Sequence, residues 1–521
     1  METTDREEGW IRTVPLKLVP PSLQDNRADA ERLLRGLEKT LGGGGACMDL
    51  STMRRTPSLL RQFGYEGKAV VFEDGGRWRL IDLFAAGRRL PPCGIAVDLG
   101  SSTLVLRLLD LSTGEGKDEI AFLNPQNAIG PDILTRIHYA SQTGGLEDLR
   151  SRLLQEMNRQ IGNLTKRNGL APGDILGMCV AGNTTMTHLF LGLDPSWLCR
   201  EPYIPAVNSP GILRAKDLDL AVHPEAPVLV LPNVGSYFGG DLIAGILASG
   251  MAEQEEVSIL VDVGTNAEVV LGNREWLMAC AGAAGPALEG GVAGMGMMAA
   301  PGVIDRVRIE PGSGKLEFRT IEDRPPVGIC GSGLIDLVSQ LFLAGMIDLR
   351  GKFVATRCKE RLREIEGIPH FRVVSARDSG TGRDLTLGQT DIDALIRSKA
   401  AMYTILVTVT GMVNLSLDDI GRFYIAGTFG SYIDPRSAVS LGMIPDLPLA
   451  RYRPLGNSSL AGASRVLLSS AAREATALVR DRITYVELNV NQEFMNRFSA
   501  AKFIPHTDRS LFPSVGEGMG D

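Results

Sequence analysis

The feature that most constrains the fold of this chain is a short motif that occurs twice. An apolar run leads into Asp98-Leu-Gly-Ser-Ser, and a second apolar run follows it. Asp262-Val-Gly-Thr-Asn has the same surroundings, and 164 residues separate the two aspartates. Each copy predicts a strand, a tight loop and a second strand. Two copies in one chain indicate an internal duplication.

The rest of the chain alternates between two apolar periodicities. Apolar residues spaced by three and four predict helices, at 25–41, 146–168, 334–343, 391–415 and near 463–480. Short apolar runs predict strands, at 68–72, 78–82, 175–181, 228–231, 422–426 and 485–488. This alternation predicts an α/β fold with substantial parallel pairing.

The domain organisation follows from the duplication and from the length of 521 residues. Residues 1–26 are expected to form an extended lead-in. We expect four parts, namely a linker segment with one helix at 1–45, a small α/β middle domain at 46–92, a first lobe at 93–256 and a second lobe at 257–521.

Composition excludes several classes of protein. The 54 basic and 61 acidic residues give a net charge of −7, which excludes a broad basic surface for nucleic acid. The chain has neither an apolar run of about 18 residues nor an apolar segment near its first residue, so no membrane association is expected. The seven cysteines are scattered without CxxC spacing. They predict reduced thiols in the cytoplasm and no iron–sulfur cluster in this chain.

The first motif has the residues of an anion-binding loop. A tight turn at Gly100 lets backbone N–H groups converge, and Ser101 and Ser102 add hydroxyl donors. Asp98 would repel a phosphate unless a divalent cation lies between them, so it is a candidate Mg²⁺ partner through water. An Asp-capped hairpin without a ligand is the alternative.

Three further loops extend this hypothesis. The second motif repeats the parts of the first, with Asp262 as the candidate Mg²⁺ partner and Gly264, Thr265 and Asn266 as the turn glycine and the hydrogen-bond donors. Two facing loops of this kind would hold a nucleoside triphosphate across a cleft. A third loop would let an adenosine lie on its backbone, with candidate contacts at Gly427, Thr428, Gly430 and Ser431. A fourth would either contact the ligand through a helix N-terminus or only cap that helix, at Gly331, Ser332 and Gly333.

Two other segments carry candidate residues with open alternatives. Asn183 and Thr184 stand at a strand end and either orient a water or the metal shell, or cap a helix. The small-residue segment at 281–291, which contains Glu289, is either a loop near phosphate or a site of close packing.

The loops as a set resemble the two phosphate motifs and the adenosine motif of the ASKHA superfamily of ATPases and kinases. Longer strings are similar to the RACo-type reductive activators of corrinoid proteins. These strings are Leu123-Asn-Pro-Gln-Asn, Asp132-Ile-Leu-Thr-Arg-Ile, Ala181-Gly-Asn-Thr-Thr-Met-Thr-His, Leu231-Pro-Asn-Val, Ala284-Gly-Pro-Ala-Leu-Glu-Gly and Gly328-Ile-Cys-Gly-Ser-Gly-Leu.

The resemblance implies a two-lobed ASKHA fold with duplicated RNase H-like halves. It implies that ATP and Mg²⁺ bind and that ATP hydrolysis supports reduction of cob(II)alamin to cob(I)alamin on a partner corrinoid protein for methyl transfer. The catalytic candidates are Asp98, Asp262 and Asn183. The family also suggests a homodimer.

The sequence departs from the family pattern in two places. The family usually carries a [2Fe–2S] ferredoxin domain before the linker, whereas this sequence starts near the linker, so electrons are expected from a separate ferredoxin or another low-potential donor. A basic residue is expected near Met298 and is absent. Two other functions stay open, a nucleotide-gated binding module and a small-molecule kinase with Glu289 or Asp241 as base.

Overall fold

The structure is a computed structural model of the chain. It describes residues 9–88, 91–236, 238–264, 267–282, 293–310, 313–427, 432–486, 488 and 492–515, without the side chains of 492–494. The chain divides into two compact units. Unit 1 comprises Met1–Ala248 and Ser459–Asp481, and unit 2 comprises Ser249–Ser458 and Arg482–Asp521. The four-part division expected from the sequence stays a prediction.

Unit 1 begins with a four-stranded sheet in the order β1-β3-β4-β2. Its elements are β1 (Ile11–Lys17), α1 (Asp29–Leu41), β2 (Ala46–Met48), α2 (Leu50–Gln62), β3 (Glu66–Asp74) and β4 (Arg77–Ala85). Helix α1 ends where Gly42 adopts φ +81°. The hairpin of β3 and β4 confirms the prediction from Asp74-Gly-Gly.

The expectation of an extended lead-in at 1–26 is wrong for β1. Ile11, Val14 and Leu16 are buried, and the whole of β1 pairs antiparallel with β3. From Thr13 to Lys17 exposed and buried residues alternate, so this part of β1 follows the two-residue periodicity of a half-buried strand.

The second sheet of unit 1 has the order β7-β6-β5-β8-β10-β9. Its strands are β5 (Cys93–Leu99), β6 (Thr103–Asp110), β7 (Gly116–Leu123), β8 (Ile175–Gly182), β9 (Ile212–Arg214) and β10 (Pro227–Val230). The helices of this region are α3 (Ile133–Ala140), α4 (Gly145–Arg167), α5 (Thr184–Leu191) and α6 (Gly240–Ser249). Strands β5, β8 and β10 are parallel, and β6 and β7 continue the sheet as antiparallel strands.

The main sheet of unit 2 has the order β21-β20-β11-β12-β13-β22, and two smaller sheets have the orders β15-β14-β16 and β17-β18-β19. The strands are β11 (Ser258–Val263), β12 (Ala267–Gly272), β13 (Leu277–Gly282), β14 (Val303–Ile309), β15 (Leu316–Thr320), β16 (Gly328–Ile329), β17 (Leu362–Ile365), β18 (Ile368–Val374), β19 (Leu385–Gly388), β20 (Arg422–Ala426), β21 (Tyr452–Gly456) and β22 (Ile483–Tyr485).

Seven more helices follow along the chain within the described ranges. They are α7 (Gly331–Leu343), α8 (Ala355–Cys358), α9 (Gln389–Met412), α10 (Pro435–Leu441), α11 (Ser458–Leu468), α12 (Ser470–Arg482) and α13 (Gln492–Ala501). The single helix predicted near 463–480 is wrong, because α11 and α12 meet at Ser469, whose hydroxyl accepts the Ala472 N–H and caps α12. Among the described residues, none of the helices has the length and apolar character needed to cross a bilayer.

Five strands follow the same order in the two main sheets, which confirms the internal duplication. The sixth strand differs, since β9 lies beside β10 in unit 1 whereas β22 lies beside β13 in unit 2. In unit 1, β5 lies between antiparallel β6 and parallel β8. In unit 2, β11 lies between antiparallel β12 and parallel β20. Asp98 in β5 is paired with Ala181 in β8, and Asp262 in β11 is paired with Ala426 in β20. A glycine follows each alanine. The repeated motif therefore occupies the same position in both sheets.

Candidate functional site

Three polar residues of unit 1 lie at one edge of its second sheet. Asp98 is near the end of β5, Asn183 follows β8, and Asp241 lies in the first turn of α6 beyond β10. The Asn183 backbone and the Asp241 carboxylate both approach Gly239, where a Cβ would lie 2.3 Å from Cα of Asn183 and 2.6 Å from Oδ1 of Asp241. Ligands of open α/β sheets bind at the carboxyl ends of parallel strands, which is where these residues lie.

The loop after β5 is held by close backbone contacts. A Cβ at Gly100 would lie 2.3 Å from the Thr103 carbonyl oxygen, so only glycine fits there. Asn124 Nδ2 donates to the Gly100 carbonyl at 3.0 Å, and Asn127 Nδ2 donates to the Ser102 carbonyl at 3.0 Å. These bonds fix the carbonyls of the loop and leave its serine side chains half-buried.

The Asp98 carboxylate is oriented from a distant part of the chain. The Ser459 hydroxyl in α11 donates a hydrogen bond of 2.8 Å to Oδ1 of Asp98. Ser459 is buried and Asp98 is half-buried. A side chain held in this way is ordered before any ligand arrives.

A buried arginine supports the same loop from behind. Arg136 is completely buried, and its guanidinium donates to the Gly130 carbonyl at 2.8 Å and to Oδ1 of Asn127 at 2.6 Å. Burial lowers the pKa of Arg136 to about 10, so it stays charged at neutral pH. Asn124, Asn127, Arg136 and Ser459 were absent from the sequence-based site. The first three lie in the family strings, which offered a signal, whereas no pattern pointed to Ser459.

Asn183 and Thr184 make the contacts of a helix start. Oδ1 of Asn183 accepts the Met186 N–H at 2.9 Å and caps α5, and the buried Thr184 hydroxyl donates to the Gly235 carbonyl at 3.0 Å. His188 closes this arrangement, since Nδ1 donates to the Thr184 carbonyl and Nε2 accepts the Ala206 N–H. Burial lowers the pKa of His188, which keeps it neutral. Capping of α5 thus explains why the Asn183 side chain takes this orientation. A contact between Asn183 and a ligand stays a prediction.

Unit 2 brings Asp262 and Gly427 into contact. Gly427 has φ +84°, and a Cβ there would lie 2.7 Å from Oδ1 of Asp262. Gly264 is half-buried two residues beyond Asp262. Several residues predicted from the sequence lie outside the residues that the structure describes. They are Thr265, Asn266, Thr428, Gly430 and Ser431 of these loops and Glu289 of the small-residue segment.

The start of α7 is explained in part by packing. A Cβ at Gly333 would lie 2.4 Å from the Ile304 carbonyl oxygen, so glycine lets α7 approach β14 closely. The Ser332 hydroxyl is buried and lies 3.3 Å from Sγ of Cys330. Gly331 begins the helix, and no side chain caps it. Contact between a ligand and these three residues stays a prediction.

Comparison with known families accounts for the order of these segments. Three family models match in succession, the RACo linker region at 10–89, the RACo middle region at 93–254 and the C-terminal domain of RACo, the ASKHA domain, at 256–516. The last model alone covers half of the chain. The chain belongs to the RACo family. The resemblance identified from the sequence motifs and the ASKHA-type α/β fold are therefore confirmed.

Relatives of this RACo-family chain have corrinoid-related names. It is 30% identical over 459 residues to the corrinoid activation enzyme RamQ of Eubacterium limosum, covering 86% of this chain and 76% of the relative. It is 25% identical over 442 residues to the [Co(II) methylated amine-specific corrinoid protein] reductase of Methanosarcina barkeri. This match covers 78% of this chain and 75% of the relative. A solved structure of a reductive activator for corrinoid, iron-sulfur protein superposes with a TM-score of 0.91 and 38% identity, covering 99% of this chain and 82% of that chain.

Proposed function

We propose that this chain is an ATP-dependent reductive activator of a corrinoid protein. The observation that carries the proposal is the RACo-family match, together with the 0.91 TM-score to a reductive activator. In the proposed reaction, cob(II)alamin on the partner takes up one electron and becomes cob(I)alamin. ATP and water become ADP and phosphate. The electron comes from a separate ferredoxin or another low-potential donor.

The two repeated loops are the proposed sites for the nucleotide phosphates. Asp98 and Asp262 offer carboxylate oxygens, the ligand type that Mg²⁺ prefers, and they would hold the ion through water. At Gly100 and Gly427 a Cβ would collide with the Thr103 carbonyl and the Asp262 carboxylate, so glycine lets each loop keep the tight conformation proposed for anion binding. Bound Mg²⁺ would neutralise the phosphate charge during hydrolysis.

The residues around Asp98 give this proposal its chemistry in unit 1. Ser459 fixes one carboxylate oxygen, and Asn124 and Asn127 fix the loop carbonyls. Catalysis would rest on this ordered geometry, because phosphoryl transfer needs positioning and charge stabilisation more than covalent participation by the protein. Asn183 and Asp241 at the same edge are the candidates for orienting the attacking water.

The cysteines support an external electron donor and a cytoplasmic location. Iron–sulfur clusters are held by several cysteines at close spacing, and the seven cysteines of this chain have no such spacing. Free thiols are also typical of the reducing cytoplasm.

The proposal is tested by following the absorbance spectrum of a cob(II)alamin-bearing corrinoid protein under anaerobic conditions. The full chain is mixed with this protein, titanium(III) citrate and Mg-ATP, and phosphate release is measured in parallel. We expect cob(I)alamin to form only with both the chain and ATP. Asp98→Asn and Asp262→Asn should each abolish formation, whereas Asp219→Asn, an exposed residue paired with Arg150, should leave it unchanged.

Other outcomes would contradict the proposal. Tight ATP binding without phosphate release or corrinoid reduction would identify a nucleotide-gated binding module. Phosphate transfer to a hydroxylated or carboxylated small molecule would identify a kinase. Light scattering on the same preparation tests the homodimer that the family suggests.

A further inference from the structure

A cavity of about 760 Å³ lies within unit 2, beside α9 and α13. This volume is in the range of small-molecule pockets, about 300–1,000 Å³. Much of its wall is apolar, formed by Val407, Leu415, Leu417, Pro445, Leu511 and Pro513. A cavity of this size and lining has the general character of a ligand site.

The cavity is separate from the loops proposed to bind nucleotide. Its residues Leu415–Asp418 precede β20, whereas Gly427 and the strand partner of Asp262 lie at the other end of that strand. The five residues of β20 span roughly 16 Å at the usual rise of a strand. A molecule in the cavity would therefore leave Asp262 and Gly427 untouched.

Tyr403 presents a hydroxyl group to the cavity. Tyr403 is only 5% exposed. Its ring packs against the rings of His506 and Phe512, with centroid distances of 5.6 and 5.4 Å. None of the residues that the structure describes forms a hydrogen bond with this hydroxyl. Burial raises the pKa of Tyr403 to about 12, so the group is a hydrogen-bond donor at neutral pH. Without a ligand, only water can accept from this hydroxyl, and a ligand oxygen would replace that water.

His506 provides a second donor beside Tyr403. Its Nδ1 accepts the Asp508 backbone N–H at 3.0 Å, which places the ring proton on Nε2. Burial lowers the pKa of His506, and the ring is neutral at pH 7. Within the described ranges, Nε2 has no hydrogen-bond partner. Two neutral donors on one wall fit an uncharged acceptor oxygen.

The charged residues of the wall do not favour a charged ligand. Asp446 accepts hydrogen bonds from the Ser514 N–H and hydroxyl, and Arg497 contacts the Thr408 hydroxyl. Asp418 is exposed at the rim. Two carboxylates and one guanidinium leave no strong excess of either sign.

We propose that this cavity binds a small, mostly apolar molecule through a carbonyl oxygen that accepts a hydrogen bond from the Tyr403 hydroxyl. The Nε2–H of His506 supports the same oxygen. The apolar side chains enclose the remainder of the molecule. This site stands apart from the proposed ATPase function and holds whether or not that function is correct.

The test compares two probes of the same shape, acetophenone and ethylbenzene, in which a carbonyl replaces a methylene. Binding to the full chain is measured by ligand-observed NMR titration. We expect acetophenone to bind about fivefold more tightly than ethylbenzene, the effect of one hydrogen bond of about 1 kcal/mol. Tyr403→Phe should reduce this difference, because only the His506 donor remains, and Tyr65→Phe, which lies in unit 1, should retain it in full.

A second pair of variants tests the location of the site. Val407→Trp fills the cavity and should abolish binding of both probes, with the fold checked by circular dichroism. If that variant does not fold, Leu417→Trp, at another residue that lines the cavity, repeats the test. Equal affinity for the two probes, an undiminished preference in Tyr403→Phe, or no saturable binding of acetophenone would overturn the proposal.

Discussion

The Ser459 hydroxyl donates a 2.8 Å hydrogen bond to Asp98, although 361 residues separate the two along the chain. Ser459 lies in α11, which follows unit 2 in sequence and returns to unit 1. The first residue of the repeated motif is therefore oriented by a helix that folds beside it only after the intervening chain has been made.

Ser459→Ala should weaken Mg-ATP binding by at least about tenfold, since a hydrogen bond to a charged group contributes about 1.5–3 kcal/mol. The measurement is calorimetric titration with a non-hydrolysable ATP analogue. Ser464→Ala is the matched control, because Ser464 lies in the same helix and its hydroxyl donates to the Leu460 carbonyl. Equal losses in both variants would show that the effect comes from the helix and not from Asp98.

Gly427→Ala should reduce nucleotide affinity by displacing the Asp262 carboxylate. The added Cβ would lie 2.7 Å from Oδ1 of Asp262, and φ of +84° adds a left-handed penalty of about 1 kcal/mol. Gly367→Ala separates the two effects, since Gly367 has φ +78° with nothing within 4 Å of its Cβ position. We expect a similar fall in melting temperature for both variants, but loss of analogue binding only for Gly427→Ala. Unchanged binding in Gly427→Ala would refute this role of Asp262.

His188→Gln should lower the free energy of unfolding by about 1–2 kcal/mol at pH 7.5, because two buried hydrogen bonds are lost. The pKa of His188 is lowered by burial from its ordinary 6.5. Below pH 6.5 the unfolded chain takes up a proton that the folded state resists, so the wild type loses stability and the difference narrows. Urea unfolding at pH 7.5 and 5.5 measures this change. His138→Gln, at an exposed position, should show no such narrowing.

Glu225→Gln should destabilise the protein by about 2 kcal/mol at pH 7. Burial opposes ionisation of Glu225, but the Lys216 ammonium and the Ser51 hydroxyl donate hydrogen bonds to its carboxylate, outweigh the burial and hold the pKa below the ordinary 4.5. This stabilisation is present above pH 4.5 and is lost as pH falls below it. Unfolding midpoints measured at pH 7 and 3.5 should therefore converge for wild type and variant. A constant difference would show that the carboxylate's charge is irrelevant, and Glu31→Gln, at an exposed position, serves as control.

Local patterns predicted most of the fold. The strands on either side of Asp98 and of Asp262, the long helix α4 and the hairpin at Asp74 each carry their signal within a few residues. The errors arose where pairing or capping decided the outcome. β1 is a strand because β3 lies beside it, and α11 ends because the Ser469 hydroxyl caps the next helix.

The candidate site was predicted only in part, for a related reason. Asp98 and Asp262 are visible because their motif is contiguous. The contact of Ser459 with Asp98, and the approach of Asp241 to the residues after β8, depend on which strands and helices become neighbours. No periodicity in the sequence encodes such distances.

Because five strands follow the same order in the two main sheets, a position in one half of the molecule has an equivalent position in the other half. Asp98 and Asp262 occupy matching positions, each beside an Ala-Gly step of the parallel strand. A substitution in one half therefore has a counterpart in the other, in the same polypeptide and under the same conditions. Measuring ATP hydrolysis with both substitutions, singly and together, would show whether the two halves contribute equally to the reaction.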